Sequence, residues 1–280
     1  MTEKRCSDNS AFCCPVCGQP LLRQERLLRC ATGHSFDLAS QGYVNLLAAN
    51  RKHAALPGDD KGMVAARRAF LRAGWYQPFS DALNRLAAQA VATAPQPFLL
   101  DAGCGEGYYT GRLAQALGHQ VRIAAFDISK SAVQAAAKSC PTVEFAVASA
   151  FAIPVENCKV DCLVNIFAPM AQREFARVLR PGGQMIYAVP GPRHLFGLKE
   201  ILYDTPYENP VRQVEYEGFR FLSRVPVQTR CTLVSQQEMQ ALFAMTPYYW
   251  KTPREGAQRL AQCSQLTTEL EFDFLIYERV

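Results

Sequence analysis

Phe98-Leu-Leu-Asp101-Ala-Gly103-Cys-Gly105-Glu-Gly107 reads as an apolar strand that ends in an acid and breaks into a glycine-rich turn. Glycines there let the backbone turn sharply and approach a ligand closely. Tyr108–Leu117 follows with helical spacing, and Val121–Asp127 returns as a second strand. Asp127 therefore stands at a strand end about 20 residues beyond the loop, where a carboxylate can accept both hydrogens of a ribose diol. The rival reading is a plain β-α turn followed by an acid that caps a helix. The order strand, turn, helix, strand, acid favours the ligand site.

Working outward, the alternation persists. Strands are expected at Val143–Val147, Val160–Ile166 and Gln184–Val189, with helices near Ser129–Ser139, Ala171–Leu179 and His194–Tyr203. Repeated β-α units imply a parallel sheet covered on both faces. At the tail, Leu270, Phe272, Phe274 and Ile276 alternate with Glu271, Asp273, Leu275 and Tyr277. That two-residue period predicts a strand at or near the sheet edge, antiparallel to its neighbours. Upstream, Met63–Ala73 and Pro78–Ala92 read as helices.

The loop chemistry separates two ligand classes. A dinucleotide needs a helix N-terminus open to pyrophosphate. Asp101 and Glu106 would repel that anion and suit the ammonium of a methionine moiety. Arg180-Pro-Gly-Gly183 turns into the fifth strand, and Asn165-Ile-Phe-Ala-Pro169 ends the fourth where ligands sit in open α/β sheets. Together these features resemble the class I S-adenosylmethionine methyltransferases, over roughly Phe98 to Val280. The resemblance implies an α/β, Rossmann-like seven-stranded sheet whose last strand is antiparallel. It also implies that Gly103 and Gly105 line the methionine end, that Asp127 binds the ribose, and that Ser149 lies near the adenine.

The chain holds 11 cysteines, an odd number. No secretory h-region precedes them and no apolar run is long enough to span a membrane, so a reducing cytoplasm is expected, with no membrane partner. Thiols there serve as metal ligands or core residues. Cys14-Pro-Val-Cys17 is followed by Cys30-Ala-Thr-Gly-His34. Three thiolates and one imidazole on two knuckles form a closed tetrahedral set of the structural Zn2+ type. A redox reading lacks its βαβ surroundings, and a deaminase reading lacks a His-x-Glu element. Cys13 is a competing thiol beside the first pair.

Hydrophobic residues at 49% suffice for a real core. The net charge of +5 is uneven: 11 Lys+Arg face 6 Asp+Glu through Trp75, and 19 face 19 afterwards. A polyanion would be gripped in that first quarter. Candidates are Arg51, Lys52, Arg67, Arg68 and Arg72, in or just after a polar linker. The side chains of Arg67 and Arg68 are expected to stay away from the glycine loop. The expected organisation is a zinc module over residues 1–47, a basic linker with helices over 48–95, and a methyltransferase domain over 96–280.

CPVCGQPL, GHSFDLASQGYVNLL, ARRAFLRAGWYQP, LDAGCGEGYYT, VPGPRHLFGLKE and MTPYYW, in this order, closely resemble the bacterial large-subunit (23S) ribosomal RNA guanine-N1 methyltransferases. The resemblance implies zinc on Cys14, Cys17, Cys30 and His34. It implies a cofactor pocket that includes Tyr76, Asp101, Tyr109, Thr110 and His194, and a homodimer that binds 23S ribosomal RNA. The sequence does not identify a general base. Asn165 and Phe167 are the candidates to face the target base, Phe167 by stacking. A small-molecule methyltransferase and a non-enzymatic RNA-binding protein are the alternatives. The zinc module and skewed charge argue against the first, and the intact Asp101, Gly103, Gly105 and Asp127 set against the second.

Overall fold

The computed structural model describes residues 9–47, 61–211 and 214–280. Arg51 and Lys52 lie outside the described residues. The chain starts with β1 (Asn9–Cys13), β2 (Pro20–Gln24), β3 (Leu27–Arg29) and β4 (Ser35–Asp37), paired in sequence order as a small antiparallel sheet. Next come β5 (Val44–Asn45) and the helices α1 (Lys61–Arg72) and α2 (Gln77–Val91). The alternating part comprises β6 (Phe98–Ala102), α3 (Tyr108–Leu117), β7 (Arg122–Asp127), α4 (Lys130–Ser139), β8 (Glu144–Val147), β9 (Val160–Ile166), α5 (Gln172–Val178), β10 (Leu179–Pro190) and α6 (Phe196–Leu202). The chain closes with β11 (Phe219–Leu233), α7 (Gln236–Ala244), α8 (Tyr248–Lys251), α9 (Arg254–Gln262) and β12 (Leu266–Arg279).

The large sheet has the order β11-β12-β10-β9-β6-β7-β8-β5. β6 lies at the centre, with order reversing on either side of it. The crevice beyond the strand carboxyl ends is the natural ligand position in such a sheet. β12 runs antiparallel to both β10 and β11, as the tail alternation implies. It is not the edge, however. β11 covers it and takes the edge, where Pro226 lacks an N–H to donate and is tolerated. β12 is buried on both faces from Phe272 to Tyr277, where it runs between β10 and β11.

The six strands placed from the sequence are present, β11 makes the seventh that the resemblance implies, and β5 adds an eighth. Val44 and Asn45 pair in parallel with Ala146 and Val147, and Leu46 N–H donates to the Val147 carbonyl at 2.9 Å. The N-terminal unit therefore ends as an edge strand of the large sheet. It also covers one face of it. Phe12, Leu21 and Leu28 cluster with Ala124, Phe126 and Ala146, and Phe175 of α5 completes that layer. The opposite face is covered by α2, α3, α4 and α6, through Phe79, Leu113, Val133 and Leu198. Among the described residues, no helix is long and apolar enough to cross a membrane.

Candidate cofactor and metal sites

The glycine loop folds as its composition demands. Gly103, Gly105 and Gly107 all have positive φ, at 88°, 55° and 83°. Two are also sterically closed. A Cβ on Gly103 would stand 2.5 Å from the Ala168 Cβ, and one on Gly107 would stand 2.7 Å from the Ala136 Cβ. The loop is tied to the neighbouring strand end, since Gly103 and Cys104 N–H both donate to the Phe126 carbonyl.

Asp101 closes β6 and is almost fully buried. Thr110 Oγ1 donates to its Oδ2 at 2.6 Å, while Oδ1 finds no hydrogen-bond partner among the described residues. Burial pushes its carboxyl up to about 7; the Thr110 hydrogen bond opposes this and the Asp127 charge adds to it. Asp127 is half-buried and holds two turns at once. Its Oδ2 accepts from Gly105 N–H at 2.9 Å, and its Oδ1 from Ser129 N–H at 2.8 Å.

An aromatic shell adjoins the loop. Tyr76, at the start of α2, packs edge-on to Phe70 and Phe272, at 5.4 and 4.9 Å between centroids, and lies 6.3 Å from His194. Phe79 touches Tyr109 at 5.3 Å, Phe272 at 4.4 Å and Phe167 at 6.0 Å. His194 is buried and its Nδ1 is unpartnered among the described residues. Burial pushes its pKa down to about 3, and Lys199 nearby adds to that, so the ring is neutral. Phe167 follows β9 at φ 53° and is 47% exposed. A non-glycine residue held in the left-handed region is a strained position of the kind that gathers at binding sites. Leu195, beside His194, shares it at φ 57°. Asn165 is fully buried. Its Nδ2 donates to the Ala102 and Pro169 carbonyls at 3.3 Å each, leaving Oδ1 without a partner among the described residues.

The structure thus brings Tyr76, Asp101, Gly103, Gly105, Tyr109, Thr110, Asp127, Phe167 and His194 to the carboxyl end of the sheet. Phe79 and Phe272 join them without having been singled out in the sequence. Nothing in their spacing marks them, because any core helix or strand carries such residues. Ser149, two residues beyond β8, lines a cleft of about 970 Å³ between the N-terminal unit and the large sheet, with Cys13, Phe151 and Arg177.

One expectation fails. Arg67 does reach the glycine loop: its Nη1 lies 3.8 Å from where a Gly105 Cβ would stand, and its Nη2 donates to the Met245 carbonyl at 3.4 Å. The helix α1 packs across the loop because its buried stripe of Val64, Phe70 and Leu71 faces the core, which turns Arg67 inward. Arg68 and Arg72, one turn apart, instead line a groove of about 740 Å³ between α1 and α4, together with Lys138. Glu106 lies between these groups. Burial pushes its carboxyl up, and Arg68, Arg67 and Arg72 oppose the shift.

In the N-terminal unit, the donor atoms of Cys14, Cys17, Cys30 and His34 all lie within 4.8 Å of one another. Cys17 and Cys30 sulfurs are 3.7 Å apart, and His34 Nδ1 is 3.6 Å from Cys14 and 3.4 Å from Cys30. A tetrahedron with Zn–S bonds of about 2.3 Å has edges of roughly this length. Burial pushes the Cys30 thiol up, but hydrogen bonds from Thr32 and His34 overcome it and bring it down to about 6. The residues present fit zinc. Cys13 does not compete: its N–H donates to the Pro154 carbonyl at 2.7 Å, and burial pushes its thiol up to about 11.

Comparison with known proteins adds two family matches. The N-terminal domain of the RlmA family, a zinc ribbon, matches residues 12–55, and a methyltransferase domain matches residues 99–183. A 23S rRNA (guanine(748)-N(1))-methyltransferase of Streptomyces fradiae is 34% identical, covering 89% of each chain. A Micromonospora griseorubida protein provisionally named 23S rRNA (guanine-N(1)-)-methyltransferase is 36% identical over 91% of this chain and 92% of its own. YxjB of Bacillus subtilis (strain 168), under the same provisional name, is 30% identical over 98% and 99%.

Proposed function

This chain belongs to the 23S rRNA (guanine-N1)-methyltransferase family, and on that premise we propose that it transfers a methyl group from S-adenosylmethionine to N1 of a guanine in a hairpin of 23S ribosomal RNA. The observation that carries the cofactor reading is the buried Asp101 carboxyl at a glycine loop, with Oδ1 unpartnered among the described residues. A cationic ammonium meets that need, and a pyrophosphate would not.

S-adenosylmethionine, when bound, supplies an electrophilic methyl group on a sulfonium. The chain's own residues mainly orient and exclude water. Asp127, at the end of β7, accepts the ribose hydroxyls. Tyr76, Tyr109 and Phe79 wall the pocket against solvent. Phe167, half exposed at its mouth, offers a ring face to a base splayed from its stack. Guanine N1 carries a proton at neutral pH and must lose it. Asn165 Oδ1 and neutral His194 Nδ1 have no hydrogen-bond partner among the described residues, the His194 ring lies 6.3 Å from that of Phe167, and either group can accept a hydrogen bond from the incoming base. Zinc on Cys14, Cys17, Cys30 and His34 holds the fold of a unit too small to hold itself.

Arg68, Arg72 and Lys138 would grip phosphates along the α1–α4 groove. A homodimer would complete the RNA cleft, and the cytoplasm is where the substrate lies. Tritiated methyl transfer to 23S ribosomal RNA lacking the modification, followed by nucleoside mapping, tests the proposal. Label on guanine N1 is the expected result. Label elsewhere, or none, would overturn it. Sedimentation of the purified chain tests the dimer, and a monomer at all concentrations would exclude it.

A further inference from the structure

We propose that Trp250 and Tyr249, on α8, form a stacking platform for unpaired nucleotides of the RNA substrate, outside the pocket that takes the target base. The inference rests on the RNA methyltransferase reading and goes beyond it by naming a second place where bases are held. Trp250 is 66% exposed and Tyr249 is 46% exposed. Single exposed apolar side chains are ordinary, but two large rings side by side make a patch. These rings are held in place. Trp250 stands edge-on to Tyr249 at 5.0 Å between centroids, and Tyr249 packs on buried Phe243 of α7 at 5.5 Å. Tyr248 instead packs on Tyr203, 6.3 Å away, and so anchors α8 to the end of α6.

The charge beside the rings selects the partner. From Met245 to Arg254 the chain carries two cations, Lys251 and Arg254, and no carboxylate. Both are exposed, and neither has an ion pair among the described residues. Glu255 follows in the first turn of α9, where an acid suits the helix dipole. Glu238 of α7 accepts from Trp75 and Ser235, and Asp204 pairs with Arg259 at 3.1 Å. Open ring faces with cations alongside are what an unpaired strand requires, since every base has a π-face and every linkage a charge. A second copy meeting this patch across a two-fold axis would set its cations against themselves. The patch also begins in the right place. Arg67 Nη2 donates to the Met245 carbonyl at 3.4 Å while Nη1 stands beside Gly105, so one guanidinium spans the gap between this segment and the glycine loop.

The test uses the full chain with zinc bound and a 23S ribosomal RNA hairpin lacking the modification. The chain has two tryptophans, and Trp75 is partly buried against Glu238. RNA should quench the wild-type tryptophan emission, and Trp250→Phe should remove most of that quenching. Trp250→Ala should weaken RNA binding by about tenfold, the effect of losing one stacked base. Trp250→Tyr, which keeps a stacking face, should retain most of the affinity. Cofactor affinity and melting temperature should hardly move in any of the three. Lys251→Ala with Arg254→Ala should flatten the log–log salt dependence by about one unit per lost contact. Unchanged RNA affinity in Trp250→Ala would overturn the proposal. So would an equal loss in Trp250→Ala and Trp250→Tyr, or a loss of self-association in Trp250→Ala, which would assign the patch to a second copy. If wild-type protein neither binds nor methylates the hairpin, the RNA reading itself fails, and that failure is distinct from one confined to α8.

Discussion

Asp101 and His194 sit a few ångströms from the same pocket and titrate in opposite senses. Asp101 rises to about 7, so the native protein holds a proton that the unfolded chain has released. This group's contribution to stability is complete below about pH 4 and is lost as pH rises toward 7. His194 falls to about 3, so below about pH 6.5 the unfolded chain takes up a proton that the native state refuses. Its contribution is complete above pH 6.5 and is lost as pH falls toward 3. The cofactor's ammonium favours the Asp101 carboxylate, so binding near pH 6 should release a proton, and affinity should climb as pH rises from 5 to 7. Thr110, Asp127 and Glu106 face the same loop, and among the described residues Asp101 alone of these four has a buried oxygen without a hydrogen-bond partner. Calorimetry at pH 6 in buffers of different ionisation heat should show that release, and Asp101→Asn should abolish it. Identical heats in every buffer would refute the linkage. Asp101 was legible in the sequence because an acid before a glycine turn has few other reasons to exist. Arg67 was misread because charge patterning places it on a basic helix side but cannot say what lies beneath. Only the packing of α1 over the loop shows that.

At the scale of elements, α1 carries the clearest prediction. Arg68→Ala together with Arg72→Ala should weaken RNA binding and flatten its log–log salt dependence by about one unit per lost phosphate contact. Cofactor affinity should stay within about twofold, since these side chains line the outer groove. An unchanged slope would remove the groove from the RNA path. Gly103→Ala makes a second test. Its Cβ would collide with Ala168 at a φ that L-residues avoid, so the loop must shift. Cofactor affinity should fall at least about tenfold with far-ultraviolet circular dichroism retained; wild-type affinity would show that the loop has room to spare. The central strands and helices were readable because runs such as Val160–Ile166 are buried on both faces and alternate with helical spacing. β11 escaped notice. Its alternation is broken by Pro226 and by a register shift between Phe221 and Ser223, which hide a long edge strand. β5 escaped for a different reason: two residues carry no periodicity at all.

For the whole molecule, the metal and the sheet form one cooperative system. Ser10 and Ala11 both donate to Glu144 at the start of β8, at 2.8 and 2.9 Å, and Phe12, Leu21 and Leu28 share their core with β7 and β8. Stripping zinc, or Cys14→Ser, should therefore lower the melting temperature of the entire chain in a single transition. Two transitions, with the higher one unmoved by chelator, would show that the units melt apart. A knuckle pair at Cys14–Cys17 and Cys30–His34 announces a metal in any context, so the module was visible in the sequence. Its docking was not, because Phe12, Leu21 and Leu28 read equally well as a private core.

β5 also imposes an order of events on synthesis. The ribbon leaves the ribosome before the strands of the large sheet and can capture its metal at once. Val44 and Asn45, however, have no strand to join until Ala146 and Val147 emerge, about a hundred residues later. At about 5–20 residues per second, that leaves the ribbon's sheet-facing side, Phe12, Leu21 and Leu28, uncovered for roughly 5–20 seconds in every molecule made. During that interval the nascent chain presents a metal-stiffened apolar surface, and chaperone demand should peak there and fall once β8 is released.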